Sequence, residues 1–517
     1  MYWVVVLLMN KSRSKAALIN SSVATIAQVI LILAQFISRT FFIKTLGSEY
    51  LGLNGLFVNL LSMLNLAELG IGNAITFSLF KPLIDNNKAQ ISAIMRLLKK
   101  WYRMIAVIVF VGGIILMPFI PKLIHKPVFS NIQLWIFFFL ALMGTISTYL
   151  LSYKRTLLIA NQEGYINTIN TVGFSVGQQI IQILFLIVYP NFYIYLIIQL
   201  LANLFSNINI SRLVDKKYPY LKDFNISVDK DVLKYFKKNV TGMISAKLGG
   251  VVVNGTDNLV ISFFLGLATV GKYANYTLIT TGLTAILTQA VSAVSASVGN
   301  LAVSKNDSKE KEVRVFNQYF SITIIVSLVM AVGIAAFSTA FVTLWIGKGY
   351  VLSHLTVFLI SLNFFIQAVR QSVITYANSY GLYWQQRYKP IFESVLNLLV
   401  SIILIKYTGL GLSAVLIGTI ASNILVNLWW EPYVVFKYGF QQKVTRFLFQ
   451  YYVLIITGGL VLEGVLFIGY QISNILFAVL FTSVAIIISI GVIVSVIWIL
   501  GIKIQIPKRI YKGGASR

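Results

Sequence analysis

The chain has 517 residues, 58% hydrophobic and only 11% charged, with mean hydropathy +0.82. Soluble domains carry about 25% charged residues, so a soluble fold is excluded and an all-α polytopic membrane protein is expected. Its 42 Lys and Arg against 15 Asp and Glu leave a net charge of +27, which suits membrane topology and attraction to anionic lipid better than nucleic-acid binding, because the basic stretches are short and tied to span ends.

From the N-terminus, "MYWVVVLLMN" is too short an apolar run to span, and its basic residues follow it, opposite to a secretory signal. Translation is expected to begin at Met9, which an intact mass of the native protein tests. Windows of about 19 residues predict fourteen spans, at 17–43, 51–79, 104–124, 132–152, 165–189, 192–211, 240–265, 273–302, 316–344, 354–380, 390–406, 411–430, 447–469 and 474–500. Eight alternate segments (1–16, 80–103, 153–164, 212–239, 303–315, 381–389, 431–446 and 501–517) hold 33 of the 42 basic residues. Basic loops stay inside, so both termini are expected in the cytoplasm and the protein in the cell membrane. Lys44, Lys122, Lys126, Lys272, Lys348 and Lys406 fall at outer boundaries, which leaves Arg39, Lys247 and Arg370 within spans. The longest loop, 213–239, is below the roughly 40 residues an independent domain needs. Its D-x-D, Asp229 and Asp231, reads as acids opening an amphipathic helix rather than a metal-nucleotide site.

An internal repeat is also visible. Leu46-Gly47 followed by Gly52 returns 219 residues later as Leu265-Gly266 followed by Gly271. "RTLLIAN" ending at Asn161 and "RQSVITYAN" ending at Asn378 close the fourth span of each half. Two six-helix lobes are predicted, 17–211 and 240–430, joined by the cytoplasmic linker 212–239 and followed by an added hairpin, 447–500, and a tail, 501–517. Both lobes start on the inside, so the repeat is parallel, as in several alternating-access transporters.

Charges inside spans cost about 2.5–3.5 kcal/mol on insertion scales and usually face a bundle interior or a wet cavity. Arg370 stands sixteen residues past the outer start of its span, roughly 24 Å along the axis, too deep to snorkel. A cavity role is expected, with Arg370→Ala abolishing activity at unchanged protein level. Arg39 and Lys247 are nearer span ends, where snorkelling competes. Glu68 and Asp257 are expected to face the lumen, Glu393 to pair with Lys389 at the interface, and Glu463 is ambiguous. Three buried cations suggest an anionic passenger, since guanidinium forks match phosphate oxygens. The carboxylates would hold a coupling H+ or Na+, or balance the cations. Structural ion pairing between helices is the competing explanation. Span amides, such as Asn54, Asn59, Gln178, Gln182 and Asn203, suit helix packing or a sugar-lined passage.

The stretches "RTFFIKTLGSEYLGLNGLF", "NLAELGIGNAI", "TDNLVISFFLGLATVGKYANY", "SVGNLAVSKNDSKEKEV" and "GLYWQQRYKPIFESVLNLLVSIILIKYTGLGLSAVLIGT" resemble the polysaccharide transporters, Wzx-type flippases of the MOP exporter superfamily with MATE-like and MurJ-like folds. The resemblance covers nearly the whole chain through diffuse patterns. It implies a two-lobed, V-shaped flippase that moves undecaprenyl-pyrophosphate-linked oligosaccharide to the outer leaflet for capsule, exopolysaccharide or wall polymer. It also implies a cationic cavity for the pyrophosphate, a hairpin sheltering the lipid tail, and glycosyltransferases or a polymerase of the same pathway as partners. No cofactor is expected. Arg39, Lys247 and Arg370 are assigned to substrate and Glu68 and Asp257 to coupling or charge balance.

Two rivals remain. A MATE-like multidrug exporter of organic cations is disfavoured because buried cations repel such drugs. An intramembrane polysaccharide-modifying enzyme is disfavoured because the two histidines, His125 and His354, lie at outer boundaries with no base or metal cluster in view. A structural partner of a synthesis complex is a third alternative.

Overall fold

The computed structural model describes residues 13–65, 78–80, 82–126, 128–222, 256–303, 309–472 and 474–502. Among them the secondary structure is helical throughout. The fourteen principal helices are α1 (Arg13–Leu46), α2 (Ser48–Leu64), α3 (Lys88–Leu116), α4 (Asn131–Ser152), α5 (Gly164–Val188), α6 (Phe192–Lys217), α7 (Thr256–Leu265), α8 (Leu267–Val303), α9 (Lys309–Ile346), α10 (His354–Ser379), α11 (Lys389–Tyr407), α12 (Leu412–Phe440), α13 (Thr445–Gly469) and α14 (Ile475–Ile499). Eleven of the described segments are long and apolar enough to cross a membrane, and each coincides with a predicted span. The other three predicted spans correspond to α2, α7 and α8, with much of the second and seventh lying outside the described residues.

Helix starts follow local chemistry. Asn87, Ser130, Asn191, Ser353 and Asn474 each accept a hydrogen bond from a backbone N–H of the first turn, satisfying donors a helix leaves open. The turns of the sequence repeat match as well. Gly47 between α1 and α2 and Gly266 between α7 and α8 hold φ of +91° and +85°, a region glycine enters without steric cost.

The chain separates into two compact units, Met1–Asn275 and Tyr276–Arg517. This division lies inside α8, later than the loop 212–239 expected to join the lobes. One cause is a close approach within the first unit: a Cβ on Gly52 of α2 would stand 1.9 Å from the Leu267 carbonyl oxygen, and one on Gly271 of α8 2.1 Å from that of Ser48. Ser48 and Leu267, like Gly52 and Gly271, are repeat equivalents, so the two halves of the motif press on each other reciprocally.

Within the first unit α1 packs on α5, α4 on α3 and α6, and α5 on α6. In the second, α9 contacts α10, α13 and α14, while α12 lies between α10 and α11. The hairpin α13–α14 is therefore integral to the second unit.

Candidate functional site

The deepest concentration of charge in the second unit is built on α10, α11 and α12. Helix α12 widens into π-helical turns at Asn423–Asn427 and Val435–Phe440 and carries Pro432; such widened turns are frequent at functional sites. Asn423, Asn427 and Glu431, four residues apart, form one stripe facing α10 and α11. Arg370 of α10 donates from Nε to Glu431 Oε2 at 3.0 Å, from Nη2 to Glu431 Oε1 at 2.7 Å, and from Nη1 to Asn423 Oδ1. The Lys389 ammonium donates to Glu431 Oε1 as well. Glu393 Oε1 accepts from Asn427 Nδ2 at 2.6 Å and lies 3.9 Å from Arg370 Nη1. All four ionised groups are buried. Two cations face two carboxylates, so the cluster is neutral and its hydrogen-bonding groups are largely taken.

These positions revise several expectations. Arg370 is held between helices in the manner of structural pairing, with its fork already filled by a carboxylate. Lys389 pairs with Glu431 and not with Glu393, and Glu393 is buried against Asn427 of α12. Glu431 was assigned to a cytoplasmic segment because the hydropathy window ended at residue 430; the helix runs on to Phe440. The signal in the sequence is an acid inside the apolar run "LWWEPYVVF", a setting like that of Glu68 in "NLAELGIGNAI".

The first unit holds a counterpart. Lys154 Nζ meets Asp215 Oδ1 at 2.6 Å and Ser211 Oγ at 2.7 Å, and Arg155 Nη2 donates to Asn207 Oδ1 at 2.6 Å. Lys154 and Asp215 are 61 residues apart, as are Arg370 and Glu431. A shift of 216 places Lys154 on Arg370, Asn207 on Asn423 and Asp215 on Glu431. In each half of the repeat a cation in or just past the fourth span is thus tied to an acid in or just past the sixth, with an amide in the same register. Beside the first pair, the Tyr153 phenol is pushed up to about 12 by burial and, second, by Asp215, so it stays neutral at physiological pH.

Arg39 of α1 differs in kind. It is half-buried, and Nη1 donates to the Ala274 carbonyl of α8 at 3.3 Å. Among the described residues no carboxylate pairs with it. The side chain is turned toward the protein instead of snorkelling. Asp257 is half-buried on α7 and within electrostatic reach of Tyr273 on α8. Glu463 Oε1 lies 3.9 Å from His354 Nε2 at the N-terminal end of α10. Glu68, Lys247, Asp229 and Asp231 lie outside the described residues, as does the segment 1–12 that includes Met9.

The family model described as polysaccharide biosynthesis protein matches residues 17–298, more than half of the chain. The chain belongs to the polysaccharide biosynthesis protein family. A search of curated proteins finds no match. Among solved structures, the fold is similar to the lipid II flippase MurJ in an inward closed conformation, with TM-score 0.63 and 15% identity over 93% of this chain and 99% of that one. It is similar also to multidrug resistance MATE family transporters of the MOP superfamily. The inward-facing one has TM-score 0.61 and 16% identity over 80% of this chain and 98% of that one. The outward-facing one has TM-score 0.59 and 16% identity over 84% and 97%. The fold is that of MOP-superfamily transporters. The stretch matching the polysaccharide biosynthesis family includes Arg39, Glu68, Lys247 and Asp257, whereas the Arg370 cluster lies beyond it.

Proposed function

We propose that this protein is a flippase that carries undecaprenyl-pyrophosphate-linked oligosaccharide from the inner to the outer leaflet by alternating access, supplying capsule, exopolysaccharide or wall-polymer synthesis. The observation that carries this reading is the conjunction of a polysaccharide biosynthesis family match with a MurJ-like fold over 93% of the chain. Fold alone does not separate it from a drug exporter, since the MATE and MurJ scores are alike. Arg39 favours the anionic passenger: a half-buried cation that no carboxylate pairs with among the described residues attracts phosphate and repels organic cations. In this scheme Arg39 and Lys247 bind the pyrophosphate, and Arg370 joins them when Glu431 withdraws. Glu68 and Asp257 balance these charges or hold a coupling H+ or Na+.

Proteoliposomes loaded with a fluorescent polyprenyl-pyrophosphate sugar test the proposal. Wild-type protein is expected to expose the sugar to an outside quencher. Arg39→Ala should weaken substrate binding by about 10- to 100-fold, as expected for a lost charge-assisted hydrogen bond, with Arg39→Lys intermediate. Absence of flipping together with uptake of organic cations would replace this reading by the drug exporter.

A further inference from the structure

Where α10 turns into α11, two neighbouring basic residues behave oppositely. Lys389 points inward to Glu431. Arg387 stands outside, its guanidinium 4.0 Å from the centre of the Trp384 ring and 4.5 Å from that of Tyr388, with Nη1 anchored on the Trp384 carbonyl at 2.7 Å. Both rings are exposed, Trp384 at 72% and Tyr388 at 53%. No carboxylate pairs with Arg387 among the described residues. A planar cation held between two aromatic faces loses little freedom when it captures an anion, because its orientation is already set.

The surroundings identify the anion's carrier. From Tyr388 the exposed face of α11 continues through Phe392, Val395, Leu399 and Ile403, an apolar stripe with helical spacing that belongs against acyl chains. It ends at the exposed Tyr407, beside Lys406. The nineteen steps from Tyr388 to Tyr407 span about 28 Å, matching the hydrocarbon thickness. The adjoining end of α12 repeats the pattern, with Lys437 donating to the Tyr433 hydroxyl at 2.6 Å and lying over the Tyr433 and Tyr438 rings. The α10–α11 turn is at the end where basic residues gather, the side of the anionic leaflet.

We infer that Trp384, Arg387 and Tyr388 form a binding site for the phosphate of an anionic glycerophospholipid of the inner leaflet, whose acyl chains lie along the α11 stripe. The site is separate from the proposed substrate path and does not depend on it. Native mass spectrometry of the full chain, titrated with phosphatidylglycerol or phosphatidylcholine, tests it. Wild-type protein should prefer phosphatidylglycerol, and Arg387→Gln should bind it about fivefold more weakly, the loss expected for one basic residue at a membrane surface. Trp384→Ala should weaken it similarly, and Arg387→Lys less. Equal binding of the two lipids, or unchanged binding in both Arg387→Gln and Trp384→Ala, would overturn the inference. Displacement of phosphatidylglycerol by soluble inorganic pyrophosphate, or preferential displacement by a polyprenyl pyrophosphate, would also overturn it, in the second case by giving the site to the transported lipid.

Discussion

Replacing Arg370 by alanine is expected to remove most of the protein from the membrane instead of leaving a folded, inactive transporter. The guanidinium holds both oxygens of Glu431 and the side chain of Asn423, and it faces Glu393. Without it, two buried carboxylates share Lys389 alone. Removing one partner of a buried ionic set costs about 3–5 kcal/mol, a large part of the 5–15 kcal/mol typical of a folded protein. This reverses the sequence-based expectation of unchanged protein level. Immunoblots of membrane fractions and thermal unfolding of purified protein measure it. The paired change Arg370→Met with Glu431→Leu discards one charge of each sign, leaves Lys389 and Glu393 to balance each other's charge within the cluster, and should restore much of the level. If the paired variant folds and still exports polymer, Arg370 serves structure alone. Wild-type abundance of Arg370→Ala with export abolished would instead give the guanidinium a substrate role.

The second large effect is expected at the glycine contact between α2 and α8. Alanine at Gly52 or Gly271 would drive a methyl group to within 1.9 Å or 2.1 Å of a backbone carbonyl oxygen, and a backbone has no rotamer by which to yield. The helices must part or shift, at a cost of about 1–3 kcal/mol or more for an overpacked contact. Gly55, one turn further along α2, is the internal control. A Cβ there meets only the Val270 side chain at 3.6 Å, an ordinary contact, and alanine's better helix propensity is worth about 0.5–1 kcal/mol. Gly52→Ala and Gly271→Ala should therefore lower the unfolding temperature and the yield, while Gly55→Ala matches or exceeds wild type. Indistinguishable behaviour of Gly52→Ala and Gly55→Ala would show that the helices do not approach as closely as described.

The functional proposals differ in how far each candidate residue can carry them. Among the described residues Arg39 makes one long hydrogen bond, to a carbonyl, and has no ion pair to break before it meets an anion. Arg370 must surrender Glu431 to do so, and the exchange is near neutral only if substrate phosphate repays the desolvated carboxylate.

How much was legible in advance follows from the range of each interaction. Spans are a local property: about twenty apolar residues and the basic residues at their ends report on the bilayer wherever the chain later packs, so helices such as α4, α5, α13 and α14 lie where hydropathy placed them. The Gly47 and Gly266 turns were local too, and their repetition marked the internal duplication. Partners of buried charges are not local. Lys389 stands four residues from Glu393 yet reaches 42 positions along the chain to Glu431, because α11 and α12 pack side by side. The repeat of Lys154 with Asp215 and Arg370 with Glu431 was hidden because each position keeps only its sign of charge and not its residue. The amino-acid order by itself determined that this chain is a basic, duplicated bundle of membrane helices with a few charges it cannot expose to lipid. Which carboxylate answers which cation was decided by helix packing, since at low dielectric a pairing energy depends on a few ångströms that no spacing rule supplies.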